Sequence, residues 1–374
     1  MPNPRRHWLR LAAAAATGAA LLVTACGTSD PEAAPSTVTT ALPGTTQPGA
    51  PAPPAPVRPT GEPEDVVTDL DAPWSVTFVG DTALVSERDS GRVLEVLADG
   101  GTREVAVIDG VRHGGEGGLL GLVSSDDSLF VYSTGADGNR VQRYPVSGGP
   151  GSFALGVPAT VVDGLPSALT HNGGRIAIGP DGMLYVPVGD AQQQARAQDV
   201  SALNGKILRL GLDGSVPDDN PFPGSPVWSY GHRNVQGMAW AADGTMYASE
   251  FGADTWDELN VIAPGANYGW PIVEGAAGRD GFLDPVQQWP TSEASPSGLA
   301  RIEGSLFLAN LRGRVLRSIP VADPTTGEVV FDGYGRIRDA VAAPDGSLWF
   351  VTNNTDGRGS PGAGDDRIVR VQVG

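Results

Sequence analysis

Short apolar runs, each preceded by a polar turn, recur six times along the chain. Three of the six turns contain the pair Asp-Gly, which is typical of a β-hairpin because both turn residues must tolerate positive φ. The spacing of about 40 to 60 residues is that of propeller blades rather than of a helical repeat. The six copies begin at Gly80, Asp126, Pro180, Ala242, Glu303 and Pro344. The pattern therefore predicts one hairpin at the same place in each of six repeats.

A second series of short segments runs in step with the first, and in each segment apolar and polar residues alternate as in a half-buried strand. Its copies begin at Gly91, Asn139, Gly205, Asp257, Gly313 and Asp366. Abundant Gly and Pro without long helical periodicity favour an all-β chain. We predict an all-β fold, a six-bladed β-propeller of four-stranded antiparallel blades, with another all-β array as the alternative.

A propeller ring has to close, because an open edge strand invites aggregation. The last predicted strand, from Arg367 to Val373, has no later segment with which to pair. We expect it to pair with a strand near Asp65 to Leu70, so that the two ends of the domain complete one blade.

The first 25 residues have the pattern of a cleavable export segment. Arg5 to Arg10 is basic, and Leu11 to Val23 is rich in Ala and Leu. This run is shorter than the roughly 20 residues that span a bilayer, so a permanent transmembrane helix is the alternative. The basic stretch also resembles a twin-arginine export sequence. We predict a signal peptide over residues 1–25.

The residues that follow predict a tethered domain outside the cytoplasmic membrane. Val-Thr-Ala-Cys26 resembles the bacterial lipobox, which implies lipidation of Cys26 and anchoring to the outer face of the cell membrane. An ordinary signal peptide that contains a cysteine is the alternative. Residues 26–61 are mostly Pro, Ala, Thr, Gly and Ser and cannot bury enough apolar surface to fold. We predict a disordered tether there and the propeller domain over residues 62–374.

The charge and cysteine content exclude some classes of function. The formal net charge of −18 argues against binding of nucleic acid or of an anionic membrane surface, which requires a basic face. The membrane is then reached through the lipid anchor only. Cys26 is the single cysteine, so a disulfide within the chain is excluded. The many carboxylates also suit a calcium-binding protein.

In each repeat, a segment that does not read as a plain strand precedes the predicted hairpin turn. Because these segments occupy the same position in every repeat, they should meet at one end of the central channel. Beyond the export segment the chain has three histidines, His113, His171 and His232, and all three lie in these segments. Clustered arginines there indicate an anionic ligand, although any one of them could be structural. The segments are Pro73-Trp74, His113 to Gly118, Thr170 to Gly174, Gly231 to Gly237, Ser295 to Gly298 and Arg336 to Asp339.

Several of these segments resemble motifs of one family, the soluble PQQ-dependent sugar dehydrogenases of the glucose/sorbosone and aldose type. The matching runs follow the family order over nearly the whole predicted domain. They include Gly-Gly-Glu116-Gly-Gly-Leu-Leu, His171-Asn-Gly-Gly, Gly205-Lys-Ile-Leu-Arg, Gly231-His-Arg-Asn-Val-Gln-Gly, Asp257-Glu-Leu-Asn, Asn267-Tyr-Gly-Trp-Pro and Arg336-Ile-Arg-Asp. The resemblance implies oxidation of an aldose at its anomeric carbon to the lactone, with hydride passing to PQQ.

The resemblance also implies roles for individual residues. His171 would be the general base, a task that suits imidazole because it titrates near neutral pH. Asp190 would orient that base, and Arg233 would polarise the quinone oxygen that gains charge. Glu116 and Thr170 would lie next to the sugar.

Cofactor and cation sites are implied in the same way. Calcium beside the cofactor would be held by the carbonyls of Gly252 and Ala253, where Ala253 replaces the usual proline. A structural calcium would be held by Glu258 and the Tyr268 carbonyl, since calcium prefers oxygen ligands. The residues expected to hold PQQ are Arg233, Asn234, Gln236, Arg336, Arg338 and Arg312, the last of which stands where the family often has lysine.

Three functions fit these residues. The first is an aldose dehydrogenase that passes electrons to an unidentified acceptor. The second is a non-catalytic ligand-binding propeller that has lost dehydrogenase activity. The third is a calcium-dependent lactonase-type propeller, which the arginine cluster favours least because an open hydrolytic site has no need of a large anionic cofactor.

Overall fold

Six antiparallel sheets form a closed ring of blades in the computed structural model, which describes residues 54–374. We number the blades 1 to 6 and the strands along the chain, beginning with β1 (Glu64–Val67). Blade 1 contains β2 (Pro73–Val79), β3 (Thr82–Glu87), β4 (Arg92–Val96) and β5 (Thr102–Val107). Blade 2 contains β6 (Leu119–Ser125), β7 (Ser128–Gly135), β8 (Gly138–Ser147), the short β9 (Ala154–Leu155) and β10 (Ala159–Leu165). Blade 3 contains β11 (Ala177–Ile178), β12 (Leu184–Val188), β13 (Lys206–Leu210) and β14 (Val227–Tyr230).

The second half of the ring repeats this arrangement. Blade 4 contains β15 (Val235–Trp240), β16 (Met246–Glu250), β17 (Trp256–Ile262) and β18 (Gln287–Pro290). Blade 5 contains β19 (Pro296–Ile302), β20 (Ser305–Asn310), β21 (Leu316–Pro320) and β22 (Glu328–Phe331). Blade 6 contains β23 (Ile337–Ala342), β24 (Leu348–Thr352), β25 (Ile368–Val371) and, as its outer strand, β1. The innermost strands of neighbouring blades contact one another around most of the ring, and between blades 3 and 4 the contact is made by β12 and β15.

Both sequence series are confirmed by this arrangement. The six turns of the first series join the innermost strand of each blade to the second strand, as between β2 and β3. The segments of the second series form the third strand of every blade, from β4 in blade 1 to β25 in blade 6. The predicted six-bladed propeller is therefore correct.

The ring closes through the first and last strands of the domain, as the sequence predicts. Strand β1 pairs antiparallel with β25, with Glu64 opposite Arg370 and Asp65 opposite Val369. Blade 6 thus contains three strands from the end of the chain and one from its beginning. This pairing ties together segments that are about 300 residues apart, as the Arg367–Asp65 ion pair shows directly with its separation of 302 positions.

Removal of residues 367–374 should abolish the single cooperative unfolding transition, because it leaves β1 unpaired and β24 as an open edge. Thermal unfolding followed by circular dichroism measures this effect. The control is Arg370→Gln, which removes only the exposed Arg370–Glu64 ion pair and should cost less than about 1 kcal/mol. A truncated protein that unfolds like the parent would contradict the closure.

The predicted signal peptide, Cys26 and residues 27–53 of the predicted tether lie outside the described residues. The last part of the predicted tether differs from the expectation, because it lies along the propeller. The Val57 amide donates to Ser305 Oγ at 3.0 Å and the Thr60 amide donates to the Gln372 carbonyl at 2.7 Å. The ordered contacts therefore begin before the predicted boundary at residue 62. Within residues 54–374, no helix is long and apolar enough to cross a membrane.

The hydrophobic core is divided into six clusters, and each fills the space between two neighbouring blades. Phe307 of blade 5 packs with Phe350 of blade 6, for example, and Leu94 of blade 1 packs with Val351 of blade 6. Aligned blades held this way present their loops at fixed positions. The core thus supports a rigid platform for the residues at the channel mouth.

Most innermost strands are irregular where they begin, at the channel end that carries the unusual residues. In antiparallel pairs such a register shift marks a bulge, which bends the strand and redirects a side chain. Five of the six innermost strands have one, between Pro73 and Ser75, Leu119 and Leu122, Val235 and Gly237, Pro296 and Leu299, and Ile337 and Asp339. The bulges fall next to the candidate site.

Candidate active site

A cavity of about 390 Å³ lies at the end of the channel where the innermost strands begin. Loops of five blades line it, and five of the polar residues singled out in the sequence are present, namely Glu116, His171, Arg233, Arg312 and Arg336. Its lining includes Glu116, His171, Arg233, Gly252, Ala253, Asp257, Ser295, Arg312, Arg314, Arg336 and Arg358. Five arginines in one cavity are unusual for a chain with a net charge of −18. A larger cavity of about 710 Å³ lies between blades 1 and 6 but is lined mainly by acidic and apolar residues.

His171 and Asp190 form a hydrogen-bonded pair at this cavity. The His171 Nδ1 to Asp190 Oδ1 distance is 2.7 Å, and the His171 side chain is 15 % exposed whereas that of Asp190 is fully buried. When Nδ1 donates to the carboxylate, Nε2 carries the free lone pair. Among the described residues Nε2 has no hydrogen-bond partner. The pair therefore presents a basic nitrogen from a residue on the cavity wall.

Two further contacts fix the carboxylate of Asp190. The Gln192 amide donates to Oδ1 at 2.8 Å, and the indole Nε1 of Trp270 donates to Oδ2 at 2.9 Å. Burial opposes ionisation, but the hydrogen bonds from His171, Trp270 and the Gln192 amide outweigh it and hold the pKa of Asp190 below its ordinary value. Asp190 is thus an ionised group suited to orient an imidazole.

The backbone around this pair is strained. His171, Ala191 and Gln192 have φ values of 62°, 48° and 62°, in the left-handed region that costs a non-glycine residue about 1 to 3 kcal/mol. Gly189 supports the conformation, because a Cβ at that position would collide with the His171 carbonyl. Strain of this kind is concentrated at functional sites.

Glu116 connects the His171 segment to blade 6. Its Oε2 accepts the His171 amide at 2.8 Å, and its Oε1 pairs with Arg358 Nη1 at 3.0 Å. Asp356 continues this network, since its Oδ1 accepts the Arg358 amide at 2.9 Å and its Oδ2 pairs with Arg336 Nη2 at 2.9 Å. Glu116 therefore has a fixed position beside the candidate base.

Two of the arginines predicted to hold the cofactor line the cavity, and their guanidinium groups lack some of their hydrogen-bond partners. The Nε atoms of Arg233 and Arg336 are buried and have no hydrogen-bond partner among the described residues. Arg233 donates from Nη1 to the Phe251 carbonyl at 3.2 Å and lies over the Trp270 ring at 5.5 Å. Arg312 also lines the cavity, and its side chain is exposed. Buried donors without partners are costly, so these groups are poised for an anion.

Three residues predicted to contact the cofactor lie in the structure behind the cavity wall. Gln236 Oε1 accepts Arg338 Nη1 at 2.8 Å in the channel, and burial lowers the pKa of Arg338 to about 9. Asn234 Oδ1 accepts the Gly173 amide at 2.9 Å, while its Nδ2 is buried without a partner. None of the three lines the cavity: Gln236 on β15 and Arg338 on β23 bond to each other, and Asn234 lies just before β15. Their contact with the cofactor stays a prediction. In the described structure they support the wall.

Thr170, the second predicted sugar contact, does not line the cavity either. Its Oγ1 accepts Gln192 Nε2 at 3.1 Å, so it contributes to the loop contact beside His171. Its role toward a sugar stays a prediction.

The predicted cation ligands are close to several carboxylates. Glu258 is buried, and its Oε1 and Oε2 accept the Gly275 amide at 2.7 Å and Asn260 Nδ2 at 3.0 Å. Burial, with the charge of Glu250, raises the pKa of Glu258 to about 8. Within residues 54–374 no group of three or more His, Cys, Asp or Glu side chains has metal-binding spacing. The ligand sets at Gly252 with Ala253, and at Glu258 with the Tyr268 carbonyl, stay predictions.

Sequence reasoning missed several residues that shape this site. Trp270 belongs to the Asn-Tyr-Gly-Trp-Pro motif, whose local pattern does not indicate a partner for the indole, and only the fold brings it to Asp190. Asp257 lines the cavity, and its Oδ1 and Oδ2 accept the amides of Gly252 at 2.9 Å and Ser295 at 2.6 Å. The motif Asp257-Glu-Leu-Asn, which alternates along β17, could have indicated this role.

Trp270→Phe should lower kcat of any reaction that uses His171 as base by about tenfold, since a hydrogen bond to a charged group contributes about 1.5 to 3 kcal/mol. Without the indole donor the pKa of Asp190 rises, so the acid limb of the kcat profile should move to higher pH. The control is Trp349→Phe, which removes an indole hydrogen bond to Ser347 at 3.0 Å in blade 6. A lower kcat with an unmoved acid limb would contradict the positioning role.

Comparisons with known proteins identify the family of this chain. The family model described as Glucose / Sorbosone dehydrogenase matches residues 70–363. Quinoprotein glucose dehydrogenase B of Acinetobacter calcoaceticus is 31% identical over 258 residues, which are 58% of this chain and 54% of that protein. This match thus spans about half the length of that relative. Aldose sugar dehydrogenase YliI of Escherichia coli is 30% identical over 334 residues, which are 77% of this chain and 89% of that protein.

Among solved structures, the PQQ-bound form of aldose sugar dehydrogenase from Streptomyces coelicolor is 47% identical to this chain. It superposes with a TM-score of 0.81 over 86% of this chain and 100% of that one. The soluble aldose sugar dehydrogenase of Escherichia coli in the apo-form is 27% identical, with a TM-score of 0.70 over 83% of this chain and 99% of that one. The similarity therefore extends over the whole propeller.

Proposed function

The chain belongs to the glucose/sorbosone dehydrogenase family, and on this premise we propose that it oxidises an aldose at the anomeric carbon to the lactone with PQQ. The observation that carries the proposal is the His171–Asp190 pair in a cavity lined by five arginines. A base fixed by a carboxylate suits removal of a hydroxyl proton, and the arginines suit an anionic cofactor.

The residues of the cavity fit PQQ, which is a planar quinone with three carboxylates. Arg233 and Arg336 each hold a buried Nε without a partner among the described residues. Arg233 and Arg312 have no ion pair in the same part of the chain, whereas Arg336 has only Asp356. When bound, PQQ supplies the group that accepts hydride from the anomeric carbon. Arg233, Arg312 and Arg336 are the residues that would hold its carboxylates or ring oxygens.

His171 would act on the sugar's anomeric hydroxyl. Its Nε2 would take the hydroxyl proton as the carbon loses hydride, and the ionised carboxylate of Asp190 would stabilise the imidazolium that forms. Glu116, fixed by the His171 amide and Arg358, would accept a hydrogen bond from a neighbouring sugar hydroxyl. Thr170, beside the base, is the second residue proposed to contact the sugar.

Arg233 would stabilise negative charge where it develops on the cofactor side. A guanidinium fixed before the reaction costs no reorganisation during it, and Arg233 is fixed by the Phe251 carbonyl and the Trp270 ring. Asn234, Gln236 and Arg338 would keep the wall rigid from behind, through contacts such as the bond between Arg338 and Gln236.

Calcium is proposed at two places. Gly252 and Ala253 line the cavity, and their carbonyls accept no hydrogen bond among the described residues. Carbonyl oxygens of this kind are hard donors that fit calcium, and the ion would sit beside the cofactor. Glu258 with the Tyr268 carbonyl would hold a structural ion, whose charge would also keep the buried Glu258 ionised.

We place this chemistry outside the cytoplasmic membrane. The support is the export segment, the lipobox resemblance at Cys26 and the Pro-rich stretch of residues 27–53. The electron acceptor would be one available at the cell surface. Cys26→Ser should release the protein from the membrane fraction into the medium, and a membrane-bound variant would contradict lipid anchoring.

The direct test is titration of the purified domain with PQQ and calcium, followed by a panel of aldoses and an artificial dye acceptor. The proposal predicts a spectral change on PQQ binding and sugar-dependent dye reduction. PQQ binding without dye reduction on any sugar would favour the non-catalytic binding propeller. Lactone hydrolysis that needs calcium but no PQQ would favour the lactonase. Neither spectral change nor dye reduction would overturn the proposal.

A further inference from the structure

One carboxylate oxygen holds the loop between β16 and β17, the loop that contributes Gly252 and Ala253 to the cavity wall. Glu274 lies on a different segment, after Trp270-Pro271, and reaches this loop across the blade. Its Oε1 accepts four consecutive backbone N–H groups, those of Ala253 at 2.6 Å, Asp254 at 3.1 Å, Thr255 at 3.1 Å and Trp256 at 3.2 Å. Successive N–H groups that converge in this way form an anion-binding nest, and here the anion is part of the chain.

The same hydrogen bonds determine the direction of two carbonyl groups. In a planar trans peptide the C=O of one residue points opposite to the N–H of the next. The bond from the Ala253 amide to Glu274 therefore turns the Gly252 carbonyl away from Glu274. The bond from the Asp254 amide does the same to the Ala253 carbonyl. Both carbonyls belong to cavity-lining residues, and neither accepts a hydrogen bond in the described part of the chain.

The rest of the loop is fixed to match. The Gly252 amide donates to Asp257 Oδ1 at 2.9 Å, and the Phe251 amide donates to the Asn234 carbonyl at 3.1 Å. Every amide from Phe251 to Trp256 is thus engaged. Gly252 is also required here, because a Cβ would collide with the Trp256 carbonyl. The loop can present its carbonyls as a preformed pair of oxygen ligands.

We propose that Glu274 is a positioning residue that orients the Gly252 and Ala253 carbonyls to bind a cation in the cavity. The inference rests on the proposed function, in which that cation is calcium beside PQQ. Ala253 adds to the arrangement in this chain, because its amide makes the shortest of the four bonds and the usual proline would have no N–H to donate. The charge of Glu274 strengthens all four bonds, since charge-assisted hydrogen bonds are roughly twice as strong as neutral ones.

The experiment compares wild type, Glu274→Gln, Glu274→Ala and Asp284→Asn with two measurements. The first is hydrogen exchange of the peptide covering residues 251–257 in the protein without added ligands. The second is the calcium concentration that half-saturates PQQ binding, read from PQQ absorbance without any sugar. Asp284 is the matched control, because its carboxylate accepts the amides of Ala277 at 3.0 Å and Gly278 at 2.9 Å outside the cavity.

Glu274→Gln keeps an acceptor oxygen but loses the charge. In this variant the loop amides should exchange faster, and half-saturation of PQQ binding should need about 10- to 100-fold more calcium, as for other groups that orient metal ligands. Glu274→Ala should show a larger effect if it folds, and Asp284→Asn should match wild type in both measurements. Faster exchange with an unchanged calcium requirement would overturn the inference, as would unchanged exchange. If PQQ binding to wild type does not depend on calcium, the calcium part of the proposed function and this inference are both overturned. If wild type depends on calcium and Glu274→Gln needs the same calcium concentration, only this inference is overturned.

Discussion

His171→Ala should lower kcat for aldose oxidation by about 10³-fold, within the range for loss of a general base, and leave PQQ affinity nearly unchanged. The reason is geometric. The ring is held by Asp190 at 2.7 Å and contacts no arginine of the cavity through a hydrogen bond in the described chain. Its loss removes the proton acceptor without disturbing the groups proposed to hold the cofactor. The measurements are dye reduction at saturating PQQ and a PQQ titration by absorbance.

The matched control is His113→Ala. His113 lies in the corresponding segment of blade 2, its side chain is exposed, and it makes no hydrogen bond within residues 54–374. This variant should retain wild-type kcat. His171→Asn is a second test, because asparagine tolerates the left-handed backbone at this position but cannot act as the base. An asparagine variant with substantial turnover would exclude His171 as the general base.

The fold could be predicted because its determinants are local and repeated. The first hairpin of each blade is marked in the sequence by a polar turn, such as Asp181-Gly182 or Asp345-Gly346. Each pattern is weak alone, but six of them at regular spacing strongly predict a repeat fold. Closure of the ring could be predicted because an unpaired edge strand would be exposed otherwise. The pairing of β1 with β25, with Glu64 opposite Arg370, covers that edge. The contact of residues 54–61 with the propeller was harder to predict, because these residues contact it mainly through backbone groups, as at Thr60.

The candidate site was predictable where position in the repeat determines location. His171, Arg233 and Arg336 share one phase of the repeat, and the structure brings all three to the same cavity. The position of a residue in the repeat does not determine the direction of its side chain at a bulge. Arg338 therefore lies in the channel with Gln236, although it is only two residues from Arg336.

Contacts between distant segments were beyond sequence reasoning. Trp270 reaches Asp190 across 80 positions, and nothing in the local pattern of either segment specifies the other. Glu274 was missed for a related reason, since its partners are backbone amides and any sequence would supply them. Such residues are found only when the fold shows which buried donors converge on one oxygen.

Arg233→Ala should weaken PQQ binding by about 10- to 100-fold, because a hydrogen bond to a charged group contributes about 1.5 to 3 kcal/mol and 1.4 kcal/mol is tenfold in affinity. It should also lower kcat at saturating PQQ by about 10²-fold, since one fixed donor at a site of developing charge has an effect of this size. Arg233 thus differs from His171, whose loss should affect kcat alone. PQQ titration and dye reduction on the same samples separate the two effects.

Two further variants determine which property of Arg233 matters. Arg233→Lys keeps the charge but loses the planar group that donates to the Phe251 carbonyl and lies over Trp270, and lysine and arginine are not equivalent at such a stacked position. We expect it to recover part of the affinity and less of kcat. The control is Arg196→Ala, an exposed arginine whose side chain makes no hydrogen bond in the described chain. If Arg233→Ala and Arg196→Ala bind PQQ equally well, the cofactor does not occupy the cavity beside His171, and the charge of Arg233 has another purpose.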